Sequence, residues 1–172
     1  MSTKLQKPPD RFFLDVLLDS WDRNNAILIN LLRALPDDGL EARALDGSPT
    51  VAQLFVHLHY VRLVFVAEDA PEFSGPVPEG EWRAERDRDR LVDMLNESAR
   101  VVRDAVKGRL DAGRDMDVHY DHPILMFQHL IWHEGYHHGQ IKLALKAAGR
   151  PFDDEEIGRV TWDVWMAKRE RA

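Results

Sequence analysis

The chain of 172 residues contains no cysteine. Disulfide bonds, thiolate metal sites and a cysteine nucleophile are therefore excluded. Basic residues are also in deficit, with 23 Lys and Arg against 30 Asp and Glu, which gives a net charge of −7. No basic cluster is present that would follow a phosphate backbone, so we do not expect nucleic-acid binding.

Long apolar runs are absent as well. The longest, residues 63–67, is far too short to cross a bilayer. The first ten residues are polar, hold two prolines and lack the apolar core of a signal peptide. We therefore expect a cytoplasmic protein that does not contact a membrane. The length fits one domain over residues 1–172, in which we expect residues 1–10 to be flexible.

Apolar residues recur with helical spacing rather than with the alternation of a strand. Five segments show this pattern, at about residues 11–35, 50–69, 85–107, 123–148 and 155–168. Four of them are long and amphipathic. They predict an all-α protein, a four-helix bundle with a short additional C-terminal helix.

Two of the predicted helices carry signals at their first residues. Thr50 and Gln53 have the spacing of a capping box at the start of the second helix. Asp121 is expected to cap the fourth helix, with Pro123 in its first turn.

Two histidines of the fourth predicted helix, His133 and His137, are four residues apart. At this spacing they lie one turn above the other on one face. The same face carries Met126, Ile141 and Ala144, so it is predicted to point into the bundle. Two imidazoles so placed can chelate one metal ion, which needs a further ligand from elsewhere.

The second predicted helix offers that ligand in His57 or His59. Residues two apart on a helix point to nearly opposite sides, so only one of them faces the interior. His57 shares its side with Leu54 and Val61, whereas His59 shares its side with Arg62. His57 is therefore the better candidate.

The remaining histidines are weaker candidates. His129 lies one turn before His133 and is an alternative, or a partner of a ligand. His119 and His122 fall in a polar segment and are expected to be solvated.

Three neutral imidazoles suit zinc, nickel or ferrous iron better than magnesium or calcium. Three protein ligands leave positions open for water or substrate, as catalytic sites do. Gln140 is the best-aimed polar neighbour of the two stacked histidines. The segments 70–80 and 108–122 are expected to shape the pocket.

The run His133-Glu134-x-x-His137 also matches the zinc metallopeptidase pattern, in which Glu is the general base. The extended metzincin form requires Gly at position 140 and His at position 143. This chain has Gln140 and Leu143 there.

A third ligand of the gluzincin kind would have to come from Glu155 or Glu156. No strand is predicted that would hold a peptide substrate. Glu134 projects about 80° from the ligand direction, which leaves it as a possible neighbour of the site rather than its base. It shares a side with His138 and Lys142, where pairing between residues four apart is expected.

Residues 50–58, Thr-Val-Ala-Gln-Leu-Phe-Val-His-Leu, resemble the first-histidine segment of the DinB/YfiT-like superfamily. Residues 133–140, with His-x-x-x-His-x-Gly-Gln, resemble its second motif. The resemblance covers most of the chain. It implies that His57, His133 and His137 form a metal triad, in agreement with the choice from the helix faces.

The resemblance also implies a four-helix bundle, often dimeric, with a divalent metal near one end. Characterised members include transferases and isomerases that use the thiols bacillithiol, mycothiol or glutathione, and other members have been described as metal-dependent hydrolases. This chain has His138 where the family often has Arg. A contact made by that Arg would here be weaker or pH-dependent.

The leading hypothesis is a metal-dependent enzyme acting on a small molecule, as a thiol-dependent transferase or a hydrolase. Without cysteine, the thiol would come from a low-molecular-weight cosubstrate. The alternatives are a zinc metallopeptidase and a non-catalytic bundle that binds metal or a partner. Trp132 and Phe127 lie off the ligand face and are expected in the core rather than in a homodimer contact.

Overall fold

The computed structural model describes residues 11–168, which form helices and turns and contain no strand. The predicted all-α fold is confirmed. The expected flexibility of residues 1–10 lies outside the described residues. The helices are α1 (Arg11–Arg33), α2 (Val51–Asp69), α3 (Arg88–Asp111), α4 (Pro123–Ala147), α5 (Asp154–Val160) and α6 (Trp162–Met166), with 3-10 turns at Gly39–Glu41 and Pro71–Phe73.

The capping box of α2 is present. The Thr50 hydroxyl accepts a hydrogen bond from the Gln53 backbone N–H, and Gln53 Oε1 accepts one from the Thr50 N–H. The expected cap of α4 is wrong, because Pro123 is the first helical residue and the cap position therefore falls on His122. Its Nδ1 accepts a hydrogen bond from the Ile124 N–H at 3.2 Å, and Asp121 precedes it by one residue.

The predicted C-terminal helix is divided into α5 and α6 at Thr161. The backbone of Thr161 has φ −119° and ψ −74°, outside regular helix geometry. Its hydroxyl donates to the Ile157 carbonyl at 2.7 Å and so competes with the backbone bonds of the helix.

Helix α3 runs past its predicted end because Gly108 lies within it and does not terminate it. The Phe73 ring packs directly against this glycine. A Cβ on residue 108 would lie 2.1 Å from that ring. Because Gly108 has no side chain, α3 and the segment that follows α2 can pack in close contact at this point.

The four long helices do not simply alternate in direction. One apolar cluster joins the C-terminal halves of α1 and α4 to the N-terminal halves of α2 and α3, and a second cluster joins the opposite halves. Helices α2 and α3 therefore run in the same direction. Their connection, residues 70–87, has to return along the length of the bundle, as a crossover connection does. We call this segment the crossover.

Helix α2 is the most apolar helix of the bundle. An 18-residue window of this helix has a mean hydropathy of 1.2 and is long and apolar enough for a membrane crossing. However, 61% of this window is buried inside the protein. It also carries the fully buried Arg62. It is therefore the central helix of the bundle.

A polar layer separates the two apolar clusters, and Arg62 and Glu134 lie at its centre. Arg62 Nε is 2.6 Å from Glu134 Oε1, and Arg62 Nη2 is 2.9 Å from Oε2. Both side chains are at most 1% exposed. A bidentate pair of this kind is geometrically specific, and it joins α2 to α4.

Helices α1 and α3 complete the layer. Asn24 Nδ2 donates to Glu134 Oε2, and Asn25 Oδ1 accepts from Arg62 Nη1 at 2.9 Å. The Leu95 carbonyl accepts a further Arg62 bond at 2.9 Å. The Arg62 guanidinium also lies 4.8 Å from the centre of the Trp21 ring. All four long helices thus meet at this ion pair.

Replacing Arg62 by Met is expected to lower the free energy of unfolding by about 3–5 kcal/mol, because it leaves the Glu134 carboxylate buried and unpaired. The matched control is Arg100→Met on the exposed side of α3, with an expected change below about 0.5 kcal/mol. Urea denaturation followed by circular dichroism measures both. Equal losses in the two variants would contradict the assignment.

Candidate metal centre

Helices α2 and α4 bring His57, His133 and His137 together. The Nε2 atom of His57 lies 3.2 Å from that of His133 and 3.1 Å from that of His137. The Nε2 atoms of His133 and His137 are 3.0 Å apart. The three residues form a group able to hold a metal ion. Within residues 11–168, no carboxylate or further imidazole belongs to this group.

Hydrogen bonding among the three rings cannot account for this convergence. A neutral imidazole nitrogen is either a donor or an acceptor, and one N–H points at one acceptor. The three short contacts between Nε2 atoms therefore cannot all be satisfied by protons. Tetrahedral zinc with Zn–N bonds of about 2.0–2.1 Å requires nitrogens about 3.3 Å apart. The donor set and its spacing fit a divalent transition metal.

Gln140 fixes the proton of His137. Its Oε1 is 2.8 Å from His137 Nδ1, and because an amide oxygen only accepts, Nδ1 carries the proton. The Nε2 lone pair of His137 is then free for a metal. Gln140 Nε2 in turn donates to the Tyr136 hydroxyl at 2.8 Å.

The crossover lies against His57. Glu81 Oε1 is 2.8 Å from His57 Nδ1, although the ring N–H is not aligned for a regular hydrogen bond. The Trp82 ring stacks on the His57 ring, with centres 4.3 Å apart and planes 5° apart. The segment 70–80, predicted to shape the pocket, ends just before the two residues that make these contacts.

Burial keeps the three imidazoles neutral. Burial, with a smaller contribution from the charges of His137 and His57, lowers the pKa of His133 to about 3. Burial likewise lowers the pKa of His57 and of His137. At neutral pH the lone pairs of all three rings are therefore available to a metal without loss of a proton.

The expectation that Glu134 pairs with His138, four residues further along α4, is wrong. Glu134 is buried in the ion pair with Arg62, because the fork of that arginine requires a carboxylate at this point of α4. No hydrogen bond joins Glu134 to the three histidines within the described residues. Both carboxylate oxygens are held by Arg62 and Asn24, an arrangement that disfavours Glu134 as the base of a peptidase.

His138 and Lys142 lie on the other side of α4 from the three histidines. They line a cavity of about 360 Å³ together with Trp162 and Trp165. His138 Nε2 is buried and has no hydrogen-bond partner among the described residues. Lys142 pairs with Asp154 of α5 at 3.2 Å rather than within α4.

The other histidines are placed outside the triad. His59 is buried, and its Nδ1 lies 2.7 Å from the Met94 carbonyl oxygen. His119 is exposed, as expected of this polar segment, and its Nδ1 also lies 2.8 Å from the buried Asp69. His129 is exposed and contacts the Tyr120 hydroxyl at 2.7 Å.

The segment that follows α3 lies mainly at the end of α2. Asp69 accepts hydrogen bonds from the backbone N–H groups of Val118 and His119. Tyr120 of this segment contacts His129, whose ring centre lies 6.4 Å from that of His133.

The sequence patterns did not identify Glu81 or Trp82, since an irregular segment has no periodicity that places its side chains. The polar layer, in contrast, could have been recognised in the sequence from polar residues placed within apolar helices. Arg62 is the single basic residue of α2 apart from its histidines, and Asn24 and Asn25 are adjacent polar residues of α1 that precede an apolar run.

The bundle and its three converging imidazoles define a helical protein with a candidate divalent-metal centre. The DinB family model matches residues 1–155, so the chain belongs to the DinB family. Comparison with curated proteins and with solved structures gave no match.

The metal-free protein is expected to lose stability as the pH falls from about 7.5 to about 5. Histidines of the unfolded chain take up protons near the ordinary histidine pKa of 6.5, whereas folded His133 has a pKa of about 3. The unfolded state therefore binds more protons in this range. Urea midpoints in EDTA measure the loss. It should be smaller in His133→Gln and unchanged in the exposed control His129→Gln; equal pH dependence in all three proteins would argue against it.

Proposed function

We propose that this protein is a metal-dependent enzyme that acts on a small molecule, as a thiol-dependent transferase or a hydrolase. The observation that carries the proposal is the approach of three Nε2 atoms to within 3.0–3.2 Å of one another. Three ligands leave coordination positions open, which a purely structural site would not do.

His57, His133 and His137 would hold zinc, nickel or iron, the ions that suit imidazole donors. When bound, the ion would supply Lewis acidity and lower the pKa of a water or thiol beside it. Gln140 keeps the proton of His137 on Nδ1 and orients the ring. Arg62 holds Glu134 in the bundle interior, so a proton acceptor would have to come from elsewhere.

A small-molecule substrate suits this chain better than a nucleic acid or a membrane. The net charge of −7 disfavours binding to phosphate backbones. The apolar helix α2 is mostly buried in the bundle core, so its apolar surface is not available to a membrane. Since the chain has no cysteine, a thiol reaction would take its sulfur from a low-molecular-weight cosubstrate. We place the protein in the cytoplasm, where such thiols are kept reduced.

Purified protein is expected to bind one divalent transition metal per chain. His57→Ala and His137→Ala should each lose most of it, because two imidazoles bind an ion more weakly than three. His129→Ala, on the same helix but outside the group, should keep the wild-type content. Elemental analysis by mass spectrometry measures all four proteins and identifies the ion. Equal metal content in all of them would overturn the triad.

Catalysis is tested separately from binding. Metal-loaded protein is incubated with electrophilic or hydrolysable small molecules, with and without bacillithiol, mycothiol or glutathione. Turnover that depends on the thiol indicates a transferase, and turnover without it indicates a hydrolase. A metal-loaded protein with a fourth protein ligand would be a non-catalytic metal-binding bundle.

We also propose that the enzyme is a homodimer joined through α4. Phe127 is buried as expected, but Trp132 is 70% exposed and stacks on the exposed Tyr136. Leu125 and Leu143 lie on the same exposed face, seven residues before and eleven after Trp132. An exposed apolar face of this kind marks an interaction site.

Trp132→Glu is expected to convert the dimer to a monomer, since it places a charge in the centre of this face. Leu45→Glu is the control, because Leu45 is 73% exposed outside the helices. Light scattering coupled to size-exclusion chromatography gives the mass of each variant. A monomeric wild type, or a dimeric Trp132→Glu, would refute the proposed contact.

A further inference from the structure

The crossover brings two side chains onto a single ring of the histidine group. Glu81 lies beside His57 Nδ1, and Trp82 covers one face of the same ring. Neither residue belongs to the group that could hold the ion. We propose that Glu81 and Trp82 are positioning residues for the metal, and that docking of the crossover on His57 is coupled to metal binding. This inference rests on the proposed metal function.

Glu81 selects the tautomer of His57 that a metal needs. An ionised carboxylate only accepts hydrogen bonds, so its position 2.8 Å from Nδ1 favours a proton on that nitrogen. Nε2, which faces the other two histidines, then carries the lone pair. A carboxylate in this position also raises the basicity of the ligand. The Glu81 carboxylate thus favours on His57 the same tautomer that the Gln140 hydrogen bond favours on His137.

Trp82 fixes the plane of the His57 ring. The two rings are parallel to within 5° at a separation of 4.3 Å, so rotation of the imidazole would break the stack. The backbone of Trp82 is itself tied to α2, because its carbonyl accepts a hydrogen bond from Gln53 Nε2 at 2.8 Å. Gln53 Oε1 is held at the same time by the Thr50 N–H. The crossover is therefore anchored to the first turn of the helix that carries His57.

Coupling between crossover and metal follows by reciprocity. If docking favours the ring orientation and tautomer that bind the ion, the ion favours docking by the same factor. Two exposed arginines of the crossover allow its docking to be measured by proteolysis. Arg83 and Arg86 follow soon after Trp82 and are exposed, so trypsin can cut there when the segment leaves the bundle.

The first experiment measures zinc affinity by competition with a chromophoric chelator. Glu81→Ala is expected to weaken binding about 10–100-fold, the usual effect of removing such a partner. Glu79→Ala is the matched control, since Glu79 lies two residues away and is exposed, and it should bind as the wild type does. Trp82→Leu should weaken binding as well. Equal affinity of Glu81→Ala and Glu79→Ala would overturn the inference and leave the metal function standing.

The second experiment follows trypsin cleavage after Arg83 and Arg86. In EDTA, cleavage should be faster in Glu81→Ala than in Glu79→Ala or the wild type. Zinc should slow cleavage several-fold in the wild type and much less in Glu81→Ala. Unchanged rates would refute the docking contact even if the affinities differed. A wild type that binds no zinc at all would overturn the metal function, and the coupling with it.

A cobalt spectrum separates positioning from direct coordination. Because Glu81 touches His57 and not the Nε2 atoms, Co²⁺-loaded Glu81→Ala should show the same visible absorption bands as the wild type. A change of these bands would show that Glu81 is a ligand and would overturn its role as a positioning residue.

Discussion

The bidentate ion pair between Arg62 and Glu134 is the interaction on which the rest of this structure depends. Two charges taken out of water are tolerated only if their hydrogen bonds are nearly complete, and α1 and α3 supply the remaining partners. The pair therefore fixes how far α4 is rotated and shifted against α2. That same rotation directs His133 and His137, the neighbours of Glu134 along α4, toward His57. A structural ion pair thus sets the geometry of the candidate metal centre.

The parts of the site that lie on helices could be predicted from the sequence, because helical spacing fixes the direction of a side chain. The approach of His57, His133 and His137 follows from apolar neighbours three and four residues away. The same reasoning failed for Glu134, whose burial depends on a partner in another helix. It failed for Trp132, because a tryptophan among apolar residues suits a core and an exposed face equally. Glu81 and Trp82 reach His57 through an irregular crossover that no periodicity describes.

Membership of the DinB family and the three-histidine group are compatible with a metal-binding protein, but the reaction would depend on the groups around the ion. His137 Nδ1 is hydrogen-bonded to the Gln140 amide, whereas the Glu81 carboxylate lies 2.8 Å from His57 Nδ1 without an aligned hydrogen bond. His133 Nδ1 has no hydrogen-bond partner among the described residues. His138 faces the cavity behind α4, on the side toward the C-terminal helices and away from the histidine group.

The three ligands would contribute unequally to the stability that a bound metal gives the folded chain, because they lie at different distances along the sequence. His133 and His137 are neighbours whenever that turn of α4 forms, even in a chain that is otherwise unfolded. His57 is separated from His133 by 76 residues and joins them only when α2 and α4 have packed. Affinity that is shared by folded and unfolded chains does not stabilise the folded one. The bond from His57 is therefore the part of metal binding that would raise the free energy of unfolding.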